Sequence, residues 1–184
     1  MWDYDPKYDT LYSGRVMPEP PNFYEDYSCR GSLQGNEFKM GGLDFQEYWG
    51  SQVEGLEGDE KRSGYYQIFI KWFLRCAQSV DDNVGRILDY LDREGLSENT
   101  VVIYTSDQGA FLGEHGLWDK RLMYEESIRM PFLIRYPALV KAGSTSAKII
   151  TNIDFAETIL DLAGITVPSD MQGRSFIPLL SGQT

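Results

Sequence analysis

Apolar side chains recur at helical spacing through residues 65–94. The steps of three and four residues that define one helix face are filled by Tyr65, Ile68, Phe69, Trp72, Phe73, Cys76, Val80, Val84, Ile87, Leu88 and Leu91. Gly95 follows and is a suitable C-terminal stop. A second helix is predicted over residues 154–163, with Asp154 as its N-cap and Glu157 completing a capping box.

Two short apolar runs between these helices predict strands. Residues 101–105 are apolar and rich in β-branched side chains, a pattern typical of a parallel strand buried on both faces. A glycine-rich turn covers residues 107–116, and a second strand is predicted at residues 131–136. This order of helices and strands predicts an α/β fold with a mainly parallel sheet and flanking helices.

Residues 1–64 lack comparable periodicity and combine prolines and glycines with many tyrosines and tryptophans. We interpret them as an irregular, aromatic-rich excursion that packs through its aromatic side chains, followed by an α/β core portion over residues 65–184. Short helices are predicted near residues 22–28 and 44–52.

Composition limits the classes of function. The chain has 184 residues, 42% of them hydrophobic, so it can bury a core. Its net charge of −11 argues against nucleic acid and anionic membranes as partners.

No apolar run approaches the roughly 20 residues of a membrane span. Residues 1–5 lack the features of a signal peptide. Cys29 and Cys76 could pair, but a buried free thiol is the favoured interpretation for Cys76.

Candidate chemistry lies directly after the first predicted strand. Asp107 and Gln108 offer a carboxylate and an amide oxygen side by side, which are ligands suited to Ca²⁺ or Mg²⁺. Lys120 and Arg121 place cations nearby in sequence, and a metal with a lysine can bind sulfate or phosphate. The same Asp-Gln-Gly sequence is also typical of an ordinary turn.

Residues 105–120 as a whole resemble the sulfatase family of the alkaline-phosphatase-like superfamily. They contain the run Gly-Glu-His-Gly-Leu-Trp-Asp-Lys at residues 113–120. The segments at residues 80–86 and 123–131 resemble the helix before this run and the approach to the next strand. The segments at residues 152–164 and 171–175 resemble the end of the catalytic domain.

The resemblance implies a role for each matching position. Asp107 would bind a divalent cation, usually calcium in this family, and Gln108 occupies the adjacent ligand position, where Asn or His is more common. Lys120 matches the catalytic lysine that contacts the substrate's sulfate group. His115, from the Gly-Glu-His-Gly sequence, and Arg121 are candidates for structural support around the site, and Arg121 could also pair with Glu125 or Glu126.

The resemblance also implies what this chain lacks. Sulfatases use a formylglycine made within a Cys/Ser-x-Pro-x-Arg motif, and neither cysteine here lies in one. The paired aspartates that complete the family's metal site are absent too. We therefore expect an incomplete sulfatase catalytic domain, inactive alone, whose parent hydrolyses a sulfate ester of a small molecule or carbohydrate. The parent is expected to be periplasmic or secreted.

Two alternatives remain open at the level of sequence. A phosphoesterase or phosphonate hydrolase of the same superfamily would use similar ligands on a different anion. A non-catalytic protein could instead bind a partner or a sugar through its aromatic surface. Neither the sulfate ester nor the oligomeric state can be inferred from these motifs.

Overall fold

The computed structural model describes residues 3–31 and 38–182, which form two compact units. One unit comprises Met1–Ile87 and Gln108–Met130, and the other comprises Leu88–Asp107 and Pro131–Thr184. The predicted division between residues 64 and 65 is a different one, because it follows the change from irregular to periodic sequence alone. It stays a prediction.

Helices and strands are mixed along the described residues, as expected for the α/β class. The α-helices are α1 (Leu43–Trp49), α2 (Gly58–Arg93), α3 (Glu125–Ile128), α4 (Asp154–Leu162) and α5 (Ile177–Leu180). The strands are β1 (Val102–Thr105), β2 (Phe111–Leu112), β3 (Trp118–Asp119) and β4 (Phe132–Arg135). None of the helices in the described part of the chain is long and apolar enough to cross a membrane.

Helix α2 confirms the longest periodic segment and extends it toward the N-terminus. Asp59 and Glu60 occupy its first turn, where their charges suit the helix dipole but add no apolar periodicity. Gly95 ends the helix with φ of 67°, and the Leu96 amide donates to the Leu91 carbonyl at 2.8 Å. This is the glycine stop predicted from sequence.

The irregular segment packs through aromatic side chains, as predicted, because Phe23 and Phe45 share a core with residues of helix α2. The core of this unit consists of Phe23, Met40, Phe45, Val53, Tyr65, Tyr66, Phe69 and Ile70. Helix α1 confirms the helix expected near residues 44–52, and a 3₁₀ turn at Gly50–Val53 continues it. Residues 22–28 form turns and extended chain instead of the second expected helix.

Asp82 ties the N-terminal segment to helix α2. Its carboxylate accepts from the Lys7 ammonium at 2.5 Å and from the Tyr8 hydroxyl. Hydrogen bonds from these two groups lower the pKa of Asp82 from 3.8 to about 2. Asp82 is therefore a paired residue, and its partners lie 75 and 74 positions away in sequence.

The contribution of this pairing to the free energy of unfolding should depend on pH in the acid range. Because the pKa of Asp82 is depressed in the folded chain, its stabilising contribution is complete above its unfolded pKa, about 3.9, and disappears as pH falls toward 2. We expect the difference in unfolding free energy between wild type and Asp82→Asn to shrink between these pH values in urea titrations. Asp81→Asn controls for the loss of one acidic residue. A difference independent of pH would contradict the pairing.

Strand β1 pairs with β4 in antiparallel register, with Val102 opposite Arg135 and Thr105 opposite Phe132. Strands β2 and β3 form a second antiparallel pair. Both pairs in the described residues thus differ from the mainly parallel sheet that was predicted. A parallel pair needs a crossover, usually a helix. The connection from β1 to β4 instead contains strands β2 and β3, and its α-helix α3 has only four residues.

Helix α4 is present where predicted, but its capping box is not. The helix begins at Asp154, whose carboxylate accepts from the amides of Thr151 at 2.7 Å and Arg174 at 2.8 Å. Glu157 is 2% exposed and accepts instead from the Gly173 amide at 2.7 Å. The prediction of a capping box was wrong because a distant loop, rather than the helix's own N-terminus, reaches the Glu157 carboxylate.

Candidate functional site

Residues 105–109 lead from strand β1 toward the predicted site. The Thr105 hydroxyl donates to the Pro131 carbonyl at 2.9 Å, which fixes the end of the strand. Asp107 is exposed and is the last residue of its segment of one unit, whereas half-buried Gln108 begins a segment of the other.

Gly109 anchors the start of the second segment. Its amide donates to the carbonyl of Ser127 in helix α3 at 2.9 Å. A Cβ at this position would lie 2.7 Å from the Arg129 carbonyl oxygen and would collide with the Glu126 carbonyl oxygen. Because backbone atoms cannot move aside as flexible side chains do, only glycine fits here.

The loop before Lys120 is a tight hairpin. Strand β2 pairs with β3, and Gly113 and Gly116 between them adopt φ of 111° and 63°. The Met40 amide donates to the Gly116 carbonyl at 2.8 Å, which ties the hairpin to the chain segment beside helix α1. The Gly-Glu-His-Gly sequence therefore forms a turn whose two glycines have positive φ angles, which other residues rarely adopt.

Lys120 follows strand β3 directly and is half-buried. Both of its neighbours have left-handed backbone conformations that non-glycine residues rarely adopt, with φ of 68° at Asp119 and 88° at Arg121. Such conformations cost free energy and persist only where the surrounding structure fixes them. Lys120 therefore lies in a strained and specifically shaped segment.

The contacts of Arg121 argue against its being a freely available cation. Its guanidinium lies 3.6 Å from the Asp119 carboxylate and 4.6 Å from the centre of the Phe38 ring. Its side chain is 61% exposed, so the ion pair is partly screened by solvent. Sequence analysis named Glu125 and Glu126 as partners, whereas the ion pair described for Arg121 is with Asp119.

His115 belongs to a network that closes the turn. Its ring nitrogen Nδ1 bonds to the Glu25 carboxylate, and the side chain is only 14% exposed. Arg30 lies 2.7 Å from the other oxygen of Glu25 and donates to the Tyr124 hydroxyl at 2.9 Å. The Tyr124 ring packs against the imidazole at 4.9 Å between centroids. These contacts give His115 a structural position.

The carbonyls of the same turn are held by two further side chains. The Tyr27 hydroxyl donates to the His115 carbonyl, and Arg62 donates to the Tyr27 hydroxyl at 3.0 Å. Arg62 also reaches the Gly116 carbonyl at 3.5 Å. Burial raises the pKa of Tyr27, which keeps its hydroxyl neutral and able to donate at physiological pH.

Sequence reasoning missed the residues that build this network. Glu25, Tyr27 and Arg30 lie in the irregular segment and are separated from their partners by 90, 88 and 94 residues respectively. The only local signal is the mixture of charged and aromatic side chains in residues 23–30. That signal is not sufficient to pair them with a turn so distant in sequence.

The metal site predicted at Asp107 and Gln108 fits calcium in the type of its donors but not in their number. A carboxylate and an amide supply hard oxygen atoms, yet Ca²⁺ takes about six to eight of them. Within residues 3–31 and 38–182, no cluster of three or more His, Cys, Asp or Glu side chains could hold a metal ion. Two donors alone leave most of a coordination shell to other groups.

Neither cysteine is a candidate nucleophile of the predicted kind. Both are free thiols, so the alternative of a disulfide between them is not realised in the structure. Burial raises the pKa of the Cys76 thiol, which keeps it protonated and weakly reactive. Cys29 is exposed, but it lies outside a Cys-x-Pro-x-Arg motif.

The chain is similar to known sulfatases. Residues 113–184 match the family described as N-sulphoglucosamine sulphohydrolase, C-terminal. The chain is 38% identical, over 99% of its length, to an N-acetylglucosamine-6-O-sulfatase of Bacteroides thetaiotaomicron, of which it spans 40%. It is 43% identical over 58% of its length to an extracellular sulfatase SULF-1 homolog of Drosophila melanogaster, of which it spans 10%.

A solved structure, BT4656 in complex with its substrate D-glucosamine-2-N,6-O-disulfate, is also similar. Its TM-score is 0.88 at 36% identity, and the match covers 99% of this chain and 45% of that one. The fold and the 105–120 segment together define an α/β protein of the alkaline-phosphatase-like class. Within that class the chain belongs to the sulfatase family and corresponds to the C-terminal part of the catalytic domain.

Proposed function

We propose that this chain supplies one side of a site that hydrolyses the sulfate ester of a 6-O-sulfated glucosamine. The observation that carries the proposal is the similarity over 99% of the chain to BT4656, whose structure contains D-glucosamine-2-N,6-O-disulfate. The relative from Bacteroides thetaiotaomicron, named an N-acetylglucosamine-6-O-sulfatase, supports the same position of the sulfate on the sugar.

Lys120 is the residue assigned to the sulfate group. Within the described residues it has no ion pair with a carboxylate, so its charge is available to an anion. The left-handed residues on either side limit where its side chain can point. An ammonium held in this way binds sulfate oxygens and stabilises the negative charge that develops on them during ester cleavage.

Asp107 and Gln108 are assigned to a divalent cation, with calcium the expected metal. When bound, this ion neutralises charge on the sulfate. The exposure of Asp107 leaves its carboxylate accessible to such an ion. Because the chain spans less than half the length of the sulfatase from Bacteroides thetaiotaomicron, the activity proposed is that of a larger assembly of residues.

The parent protein is proposed to act outside the cytoplasm, on a sulfated carbohydrate. The support is the name of a relative, an extracellular sulfatase homolog, together with the sulfated sugar in the neighbouring structure. A net charge of −11 leaves recognition of this anionic substrate to local cations such as Lys120.

A chimera tests the proposed activity. The matching region of the Bacteroides thetaiotaomicron enzyme is replaced by this chain, and release of sulfate from N-acetylglucosamine 6-sulfate is measured. We expect turnover by the chimera and none by the same enzyme with the region deleted. The 184-residue chain alone should release no sulfate, because it contains no Cys/Ser-x-Pro-x-Arg motif.

The substrate series separates the proposal from its alternatives. A chimera that cleaves a phosphonate monoester faster than the sulfate ester would favour the phosphonate hydrolase interpretation. A well-folded chimera that binds the sugar without cleaving any ester would favour a non-catalytic binding protein. Circular dichroism and a thermal melt establish folding before either comparison is made.

A further inference from the structure

A cavity of about 300 Å³ lies between the segment at residues 39–41 and the beginning of helix α2. This volume is at the lower end of the range for small-molecule sites, about 300–1,000 Å³. The residues that line it are all in one unit: Tyr27, Lys39, Met40, Gly41, Gln46, Gly58, Lys61, Arg62 and Tyr65. None of these lining residues is a predicted ligand of the metal or of the sulfate.

The lining is cationic although the chain as a whole is strongly acidic. Lys39, Lys61 and Arg62 contribute three positive charges, and none of the described lining residues is acidic. In a protein with a net charge of −11, this lining is a local cluster of positive charge. Cations gathered around a cavity attract an anionic group.

The start of helix α2 also borders the cavity. Gly58 is the first residue of helix α2, which runs for 36 residues, and both it and Lys61 line the cavity. A helix N-terminus favours negative charge, and Asp59 and Glu60 of the same turn already supply part of it.

Two tyrosines provide a further reason to expect a ligand. Tyr27 and Tyr65 are among the lining residues, and aromatic residues beside cations suit the apolar face of a sugar. Tyr65 is 1% exposed, and its hydroxyl has no hydrogen-bond partner within the described parts of the chain. A buried hydroxyl without a partner carries a desolvation cost.

The cavity is connected to the turn that precedes Lys120. Tyr27 and Arg62 line the cavity and also bond to the carbonyls of His115 and Gly116. An occupant that contacts these two side chains therefore contacts the residues that hold the Gly-Glu-His-Gly turn.

We propose that this cavity is a second anion site, which binds a sulfate group of a sulfated saccharide other than the sulfate assigned to Lys120. The sugar part of this inference rests on the proposed function, whereas the anion part rests on the cavity alone. The site would favour substrates that carry more than one sulfate.

Titration of the ¹⁵N-labelled 184-residue chain with sodium sulfate, at constant ionic strength against sodium chloride, tests the anion site. We expect saturable shifts of the Gly41 and Gly58 amide resonances. Lys61→Gln should weaken this sulfate binding by about tenfold, the effect expected for one lost charge-assisted contact. Lys141→Gln removes the same charge from an exposed position outside the cavity and should leave binding unchanged.

Lys120→Ala separates this site from the proposed catalytic one. We expect the shifts at Gly41 and Gly58 to persist in that variant, and to persist even if the chimeric enzyme proves inactive. Shifts absent in wild type, or equal in wild type and folded Lys61→Gln, would overturn the anion site. Replacing sulfate by D-glucosamine 6-sulfate tests the saccharide: tighter binding than inorganic sulfate is expected, and weaker binding would contradict the sugar assignment.

Discussion

Replacement of Lys120 by alanine in the chimeric sulfatase should lower kcat/KM for N-acetylglucosamine 6-sulfate by about 10²–10³-fold. The loss is expected because Lys120 has no ion pair with a described carboxylate, so its charge is available to the sulfate. Removal of one preorganised charge from a site of this kind costs about 3–4 kcal/mol of transition-state stabilisation. Sulfate release under subsaturating substrate measures the effect.

Arg121→Ala is the matched control, since it removes a neighbouring positive charge from the same loop. Its guanidinium is paired with Asp119 and its side chain is 61% exposed, so we expect a change smaller than about fivefold. Lys120→Arg keeps the charge but alters its shape, and an intermediate activity is expected. If Lys120→Ala and Arg121→Ala reduce activity equally, Lys120 is not the residue that contacts sulfate.

Gly109→Ala should destabilise the chain by about 2–4 kcal/mol. The added methyl group would lie 2.7 Å from the Arg129 carbonyl oxygen and would collide with that of Glu126. Relief requires the backbone of helix α3 and of Arg129 after it to move, which weakens the 2.9 Å hydrogen bond from Gly109 to Ser127. Urea unfolding followed by circular dichroism gives the free energy difference.

Gly85→Ala provides a control with the opposite sign. A Cβ at Gly85 meets nothing within 4 Å, and the residue lies inside helix α2. We therefore expect alanine there to stabilise the chain by about 0.5–1 kcal/mol. A Gly109→Ala variant as stable as wild type would show that the backbone at Gly109 does not approach helix α3 so closely.

Local patterns in the sequence predicted the local structure well. Helix α2 and its stop at Gly95 follow from spacing and from one residue able to adopt positive φ. Strands β1 and β4 lie within the predicted apolar runs. Such features depend on neighbours a few residues apart, which the sequence displays directly.

Long-range pairing is where sequence patterns were insufficient. The apolar run of strand β1 is compatible with either strand direction, and only its pairing with β4 makes it antiparallel. Glu157 has the spacing of a capping residue, but the Gly173 amide competes successfully for its carboxylate. The spacing of residues in the sequence does not show which distant group will form a hydrogen bond with a given side chain.

The candidate site likewise has features that the sequence predicted and features that it did not. The resemblance located the family and the segment that carries Lys120, and comparison confirmed the family. The assignments of Asp107, Gln108 and Lys120 remain predictions that the chimera tests. The partners of His115 could not be inferred, because neither Glu25 nor Tyr124 belongs to a pattern that points to the turn.

The bond between Glu25 and His115 joins residues that are 90 positions apart. Closing a loop of that length costs chain entropy before any contact compensates for it, and proteins rich in such contacts fold slowly. Helix α2 can form early from local contacts, whereas the turn before Lys120 must wait for the N-terminal segment to arrive. We therefore expect the lysine's surroundings to be among the last parts of the unit to become ordered during folding.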